Sequence, residues 1–195
     1  PLVDLCEMAD RFDARLVVDE AHGTGVYGSS GRGVCEHFGV EDRVAVRIGT
    51  LSKAIGTLGG FVACSSSVRD WLWHSARTQV FSTALPPAVC AAAVKSFGLI
   101  QSEPERRERL MSLSGKFREL MDGRFSAEGE GPIVSIQVEQ PHLTQQLAAD
   151  LLVDGFLVGS IRPPTVPYGT SRLRICMTAA CESNEVERLA GLLSQ

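Results

Sequence analysis

A lysine set among hydroxyls and glycines is the first feature of this chain that could do chemistry. The stretch from Val46 to Phe61 reads V-R-I-G-T-L-S-K-A-I-G-T-L-G-G-F, so a short apolar run delivers Thr50, Ser52 and Lys53 and then gives way to glycine. Of the 19 basic residues, only Lys53, Lys95 and Lys116 are lysines. Arginine supplies nearly all the positive charge, which sets Lys53 apart, because an amine can lose its proton and attack a carbonyl. Taken alone, Lys53 could equally be a surface lysine after a strand.

A second chemical stretch lies upstream. Asp19 stands where the β-branched run Arg15 to Val18 ends, and His22 opens a glycine-rich segment that continues to Gly33. In parallel-sheet folds the carboxyl ends of neighbouring strands line the crevice where ligands bind. Two such ends would present a carboxylate, an imidazole, two hydroxyls and an amine to one ligand. Pyridoxal 5'-phosphate uses this set: an amine for its aldehyde, an anion to keep the ring nitrogen protonated, a donor for the ring oxygen and hydroxyls for the phosphate. A partly desolvated charge pair of that kind is worth on the order of several kcal/mol of proton affinity. Asp19 alone also fits an aspartate capping the turn after a strand. The glycine run lacks G-K-[ST] and dinucleotide-fingerprint spacing, so it makes a poor nucleotide cradle.

The elements that must carry these residues read as short apolar strands alternating with helices. Residues 2–12 have apolar side chains at 2, 5, 8, 9 and 12, near helical spacing, and feed the strand that ends at Asp19. Arg43 to Ile48 and Gly60 to Cys64 are the next strands and bracket Lys53. Ser67 can cap a helix running through His74, and Pro86-Pro87 suits the start of another, Ala88 to Ile100, apolar nearly all round and therefore buried. The pattern predicts an α/β fold with a mainly parallel sheet covered by helices on both faces.

Near Ser102-Glu103-Pro104 the character changes. A charged amphipathic helix, Glu105 to Met121, precedes an alternating strand Ile133 to Val138, a helix Thr144 to Asp154, two further strands and a closing helix near Asn184 to Leu193. Residues 1–101 are therefore expected to form one domain and 102–195 a smaller α+β domain. Arg172 and Arg174 alternate with Leu173 and Ile175, as on a half-buried strand.

Bulk properties narrow the class. With 44% hydrophobic residues, a net charge of −4 and no basic block, the chain is expected to be globular, with no nucleic-acid surface and no membrane span. Six cysteines without C-x-x-C spacing, apart from the four histidines, suggest reduced thiols of a cytoplasmic protein and no metal site. The chain opens at Pro1 in what reads as a helix, so it is expected to be part of something longer.

Five ordered stretches now carry a resemblance: L-V-V-D-E-A-H-G-T-G-V-Y-G-S-S-G-R-G, G-T-L-S-K-A, G-G-F, F-S-T-A-L-P-P and I-R-P-P-T-V-P-Y-G-T-S-R-L-R-I. Together, from about residue 2 to the end, they resemble the α-oxoamine synthases, pyridoxal-phosphate enzymes of fold type I. The first domain would then be part of that fold's large domain. The resemblance implies that Lys53 is the Schiff-base lysine and moves the α-carbon proton, that Asp19 partners the pyridine nitrogen, and that His22 donates to the ring hydroxyl and the reacting carbonyl. It implies Thr50, with Ser52 beside it, as phosphate ligands, and Thr83 as a residue reaching the phosphate in the partner subunit of a homodimer. Arg162 would grip the amino-acid carboxylate, a task suited to a planar fork, and Thr165 would bind substrate. Read by itself, I-R-P-P-T could be only a rigid extended link.

The activity implied is a decarboxylative condensation of an amino acid with an acyl thioester carried on coenzyme A or an acyl carrier protein. I-R-P-P-T-V-P is most similar to the biotin-pathway branch, in which the partners are L-alanine and a pimeloyl thioester. Sister branches using glycine or serine, a non-catalytic structural subunit and a nucleotide-binding module are the alternatives. The family's upstream half supplies a cofactor loop and a residue stacked on the ring, so these 195 residues alone are expected to be inactive.

Overall fold

The computed structural model describes residues 1–122, 127–128 and 130–194. Its helices are α1 (Leu2–Arg11), α2 (Val34–His37), α3 (Ser66–Ser75), α4 (Arg77–Val80), α5 (Pro87–Ser102), α6 (Glu105–Met121), α7 (Pro141–Val153) and α8 (Ser183–Leu193). Its strands are β1 (Val17–Asp19), β2 (Val46–Thr50), β3 (Gly60–Cys64), β4 (Ala127–Glu128), β5 (Ile133–Glu139), β6 (Gly159–Ile161) and β7 (Ser171–Cys176). The chain divides into two compact units, Pro1–Arg107 and Glu108–Gln195.

The first unit holds a three-stranded sheet in the order β1-β2-β3. β1 and β2 run parallel with Asp19 beside Ile48. β2 and β3 run antiparallel with Thr50 beside Gly60. The expected mainly parallel sheet is therefore not what the described residues form: one of its two pairings is antiparallel. The reason lies in the connection. A parallel return needs a crossover of roughly a dozen residues or more, and only residues 51–59 separate β2 from β3, so the chain turns straight back.

Alternation along β2 and β3 gives this sheet two unlike faces. Phe61, half-buried, packs with the small cluster of Leu51, Ile55, Ala93 and Ile100, which joins the sheet to α5. Gly49 is required there, since a Cβ at that position would stand 2.2 Å from the Phe61 ring. The α5 helix departs from expectation. Only Ala93 is buried, and Val94 is 73% exposed. A helix apolar on all sides needs cover on all sides, and the described residues cover one stripe of it. Two smaller corrections follow the same logic of local geometry. The α3 cap is Ser65, whose hydroxyl accepts from the Val68 amide at 3.4 Å, and Ser67 lies inside the first turn. In α1 the inward residues are Leu2, Cys6 and Ala9, while Leu5, Met8 and Phe12 face outward.

The second unit is an antiparallel sheet in the order β4-β5-β7-β6. Leu173 and Ile175 of β7 point into its core beside Val134 and Ile136 of β5, and Arg172 and Arg174 take the other face, as their alternation requires. From α6 come Leu113, Phe117 and Met121, spaced at i, i+4 and i+8 so that one stripe meets the sheet. From α8 come Val186, Leu189 and Leu193. The N-terminus of α8 carries a reciprocal cap, in which Glu182 and Glu185 each accept from the other's region of backbone.

Phe117 is fully buried at the centre of this core. Phe117→Ala should lower unfolding free energy by about 3–5 kcal/mol, the usual cost of emptying such a site. Urea denaturation followed by circular dichroism checks it, the expected sign being a lower midpoint at unchanged slope.

Candidate active site

β1 and β2 bring two of the chemical stretches side by side. Neighbouring strands lie about 4.8 Å apart, and the register that sets Asp19 beside Ile48 puts the end of β1 two residues short of Thr50. Asp19 is exposed at the strand end, and its Oδ1 accepts the Ala21 amide at 2.8 Å, an Asx-type bond that orients the carboxylate. His22 is exposed in the turn that follows, which closes where the Gly23 and Thr24 amides donate to the Glu20 carbonyl, both at 2.8 Å.

The end of β2 carries a hydroxyl pair. Thr50 Oγ1 and Ser52 Oγ lie 2.8 Å apart, and the Ser52 amide donates to Thr50 Oγ1 at 3.2 Å. Thr50 is half-buried and Ser52 exposed. Lys53 follows, exposed, on a turn closed by the Gly56 amide donating to the Lys53 carbonyl at 2.9 Å. Gly56 holds φ at 71°, a left-handed conformation suited to glycine. On either side of Lys53, Leu51 and Ile55 are buried. Thr57 donates both its amide and its hydroxyl to the Leu51 carbonyl, at 2.7 and 3.2 Å. The backbone under Lys53 is thus held at both ends while its side chain is exposed.

The remaining candidates lie elsewhere. Thr83 is exposed between α4 and α5, and among the described residues it makes no hydrogen bond to Thr50, Ser52 or Lys53. Arg162 and Thr165 belong to the second unit: Arg162 is half-buried just after β6, and the Thr165 amide donates to its carbonyl at 2.9 Å, so the two share one turn.

Sequence reasoning passed over two carboxylates that shape this region. Glu20 is 2% exposed and accepts the Val34 and Cys35 amides, each at 2.7 Å. Glu36 accepts the Ser30 amide at 2.9 Å, the Arg32 amide at 2.8 Å and the Ser29 hydroxyl at 3.1 Å. The glycine-rich segment is built around them: a Cβ on Gly28 would stand 2.1 Å from Glu36 Oε2. Two of its amides, Ser30 and Arg32, go to Glu36, and those of residues 23–27, 31 and 33 go to backbone carbonyls, which leaves few donors for a phosphate. A readable signal existed, since Glu20 follows Asp19 on a strand and must point to the opposite face. Burial pushes the Cys35 thiol up to about 12, and Glu20 adds to the effect. A cavity of about 200 Å³ opens between the sheet and α5, lined by Arg47, Phe61, Ala63, Phe97 and Ile100, and no candidate residue lines it.

Known proteins match this chain over nearly all of its length. Residues 1–193 match the family model described as aminotransferase class I and II. The chain belongs to that family. Its relatives include the 8-amino-7-oxononanoate synthases of Lysinibacillus sphaericus, 41% identical over 100% of this chain and 50% of that protein, and of Nitrosococcus oceani, 43% identical over 100% and 52%. The chain spans about half the length of the curated relatives it matches. Among solved structures, serine palmitoyltransferase from Sphingomonas wittichii superposes with a TM-score of 0.93 at 31% identity, covering 100% of this chain and 50% of that one. The Francisella tularensis 8-amino-7-oxononanoate synthase gives 0.84 at 27% identity, covering 97% and 57%. A serine palmitoyltransferase solved with pyridoxal phosphate gives 0.90 at 31% identity, covering 100% and 50%. The α/β architecture of this family member is that of its α-oxoamine synthase relatives.

Acid stability should report Glu36. Burial alone would raise the Glu36 carboxyl, but the Arg32 and Ser30 amides and the Ser30 and Ser29 hydroxyls hold it down at about 2, against an ordinary 4.5. A depressed folded value means stability present above the unfolded value and lost as pH falls from about 4.5 toward 2, on the order of 3 kcal/mol in all. Acid titration of unfolding free energy should show this loss, and Glu36→Gln should flatten that part of the curve.

Proposed function

We propose that the whole protein condenses L-alanine with a pimeloyl thioester, releasing carbon dioxide and the thiol, to give 8-amino-7-oxononanoate. The observation that carries the reading is the register of β1 on β2, which sets an acid beside the strand whose end bears two bonded hydroxyls and an open amine. The identity of about 40% to enzymes bearing that name supports the choice of substrates.

The donor set fits pyridoxal phosphate. Thr50 and Ser52 offer two adjacent hydroxyls to a phosphate, Asp19 an anion to a ring nitrogen, and Lys53 a primary amine to an aldehyde. When bound, that cofactor supplies a sink for the electron pair left at the amino-acid α-carbon. Lys53 would hold the cofactor through its amine and would also be the base for the α-proton. Asp19 would face the ring nitrogen as its anion, and His22 would donate to the ring hydroxyl and to the thioester carbonyl. Arg162 grips the alanine carboxylate with two parallel N–H donors and so fixes which bond at the α-carbon is broken, with Thr165 beside it. Thr83 reaches the phosphate of a neighbouring subunit, which makes the working form a homodimer. The acyl group arrives on coenzyme A or an acyl carrier protein, in a cytoplasmic setting.

A second reading has its own support: the serine palmitoyltransferases superpose better than the 8-amino-7-oxononanoate synthase, 0.93 against 0.84. That reading keeps every residue role and replaces alanine by serine and the pimeloyl thioester by a palmitoyl one.

Two measurements on the full-length protein test this. Pyridoxal phosphate should produce a visible absorbance band that Lys53→Ala abolishes, and an unchanged spectrum removes the assignment. Alanine should be turned over in preference to serine and glycine, with Arg162→Lys raising KM for the amino acid by about tenfold or more through loss of bidentate contact. Preferred turnover of serine would replace alanine in the scheme.

A further inference from the structure

Glu20 lies between the two candidate ring contacts, Asp19 and His22, and its side chain points into the fold. All its polar groups are committed. Its amide donates to the Ile48 carbonyl at 2.7 Å, carrying the β1–β2 pairing one residue beyond Asp19. Its carbonyl accepts the Gly23 and Thr24 amides, closing the turn that contains His22. Its carboxylate accepts the Val34 and Cys35 amides, one on each oxygen. Space around that carboxylate is made by glycine: a Cβ on Gly23 would stand 2.0 Å from Oε2, and one on Gly33 would stand 2.4 Å from it.

We infer that Glu20 is a positioning residue for the cofactor site, its buried carboxylate anchoring the turn that carries Asp19 and His22. The inference rests on the roles proposed above for those two residues. Glu20 touches neither cofactor nor substrate and acts through backbone. A charge-assisted bond to each of two amides, the part-buried Val34 and the buried Cys35, is a strong local restraint, and losing the second leaves a buried N–H unpaired. Glu36 provides an internal comparison. It restrains the far part of the same glycine-rich segment, through Ser29, Ser30 and Arg32.

The test uses the full-length protein and reads the visible absorbance of pyridoxal phosphate held by Lys53, as a function of cofactor concentration and of pH, beside thermal midpoints. Glu20→Gln keeps one acceptor and turns an amide N–H against the other donor, so cofactor affinity should fall about tenfold and the pH midpoint of the band should move. Glu36→Gln should lower the thermal midpoint and leave affinity and pH midpoint as in the wild type. If Glu20→Gln fails to fold, Gly23→Ala, which displaces the same carboxylate by steric contact, should give the same two changes. Equal affinity and pH midpoint in wild type and the Glu20 or Gly23 variant overturn the inference. So does an equal disturbance from Glu36→Gln, since loop integrity would then be the cause. A wild-type band that survives Lys53→Ala defeats the underlying reading instead, which separates the two failures.

Discussion

A carboxylate closed off from water has to be met by donors, and meeting two of them is what shapes the segment after β1. Glu20 and Glu36 draw in the amides of Ser30, Arg32, Val34 and Cys35, and the chain can wrap them so closely only where side chains are missing. Gly23 and Gly33 make room for one carboxylate and Gly28 for the other. Three of the five glycines in residues 23–33 therefore answer to internal anions, while Gly25 and Gly31 lie against Ile100. Arg107 completes the fastening, donating to the Ser29 carbonyl at 2.7 Å and to the Ile100 carbonyl.

On this foundation the parallel pairing of β1 with β2 does the work of assembly. Asp19 and the Thr50–Ser52 hydroxyls are distant in sequence, and one ladder makes them neighbours. The antiparallel return to β3 does something different: it closes the lysine-bearing turn at both ends. Position is thus supplied by strands, and the hydroxyls and the amine lie at and beyond their ends.

Much of this could be read from residue order. Gly60–Cys64 and Glu105–Met121 are elements at the residues their patterns indicate, because a short apolar run between turn residues and a long charged stripe leave few alternatives. The alternation of Arg172 to Ile175 likewise fixed which side chains would be buried. Strand direction was not readable, since apolar runs look alike whether their partners are parallel or antiparallel and only the length of the connection separates them. The burial of α5 was misread because composition reports what a helix would bury, and not what is there to bury it. Glu20 escaped notice for a related reason: its partners lie 14 and 15 residues away and are backbone groups, which leave no mark in a list of side chains.

The closed turn under Lys53 limits how the amine can travel. Leu51 and Ile55 are sunk in the apolar cluster, and the backbone between them is cross-tied, so the segment cannot swing as a flap. Displacement of the nitrogen must come from rotation about its own four-carbon stem, whose reach is about 6 Å from Cα. An amine on such a tether meets only what is brought within its reach.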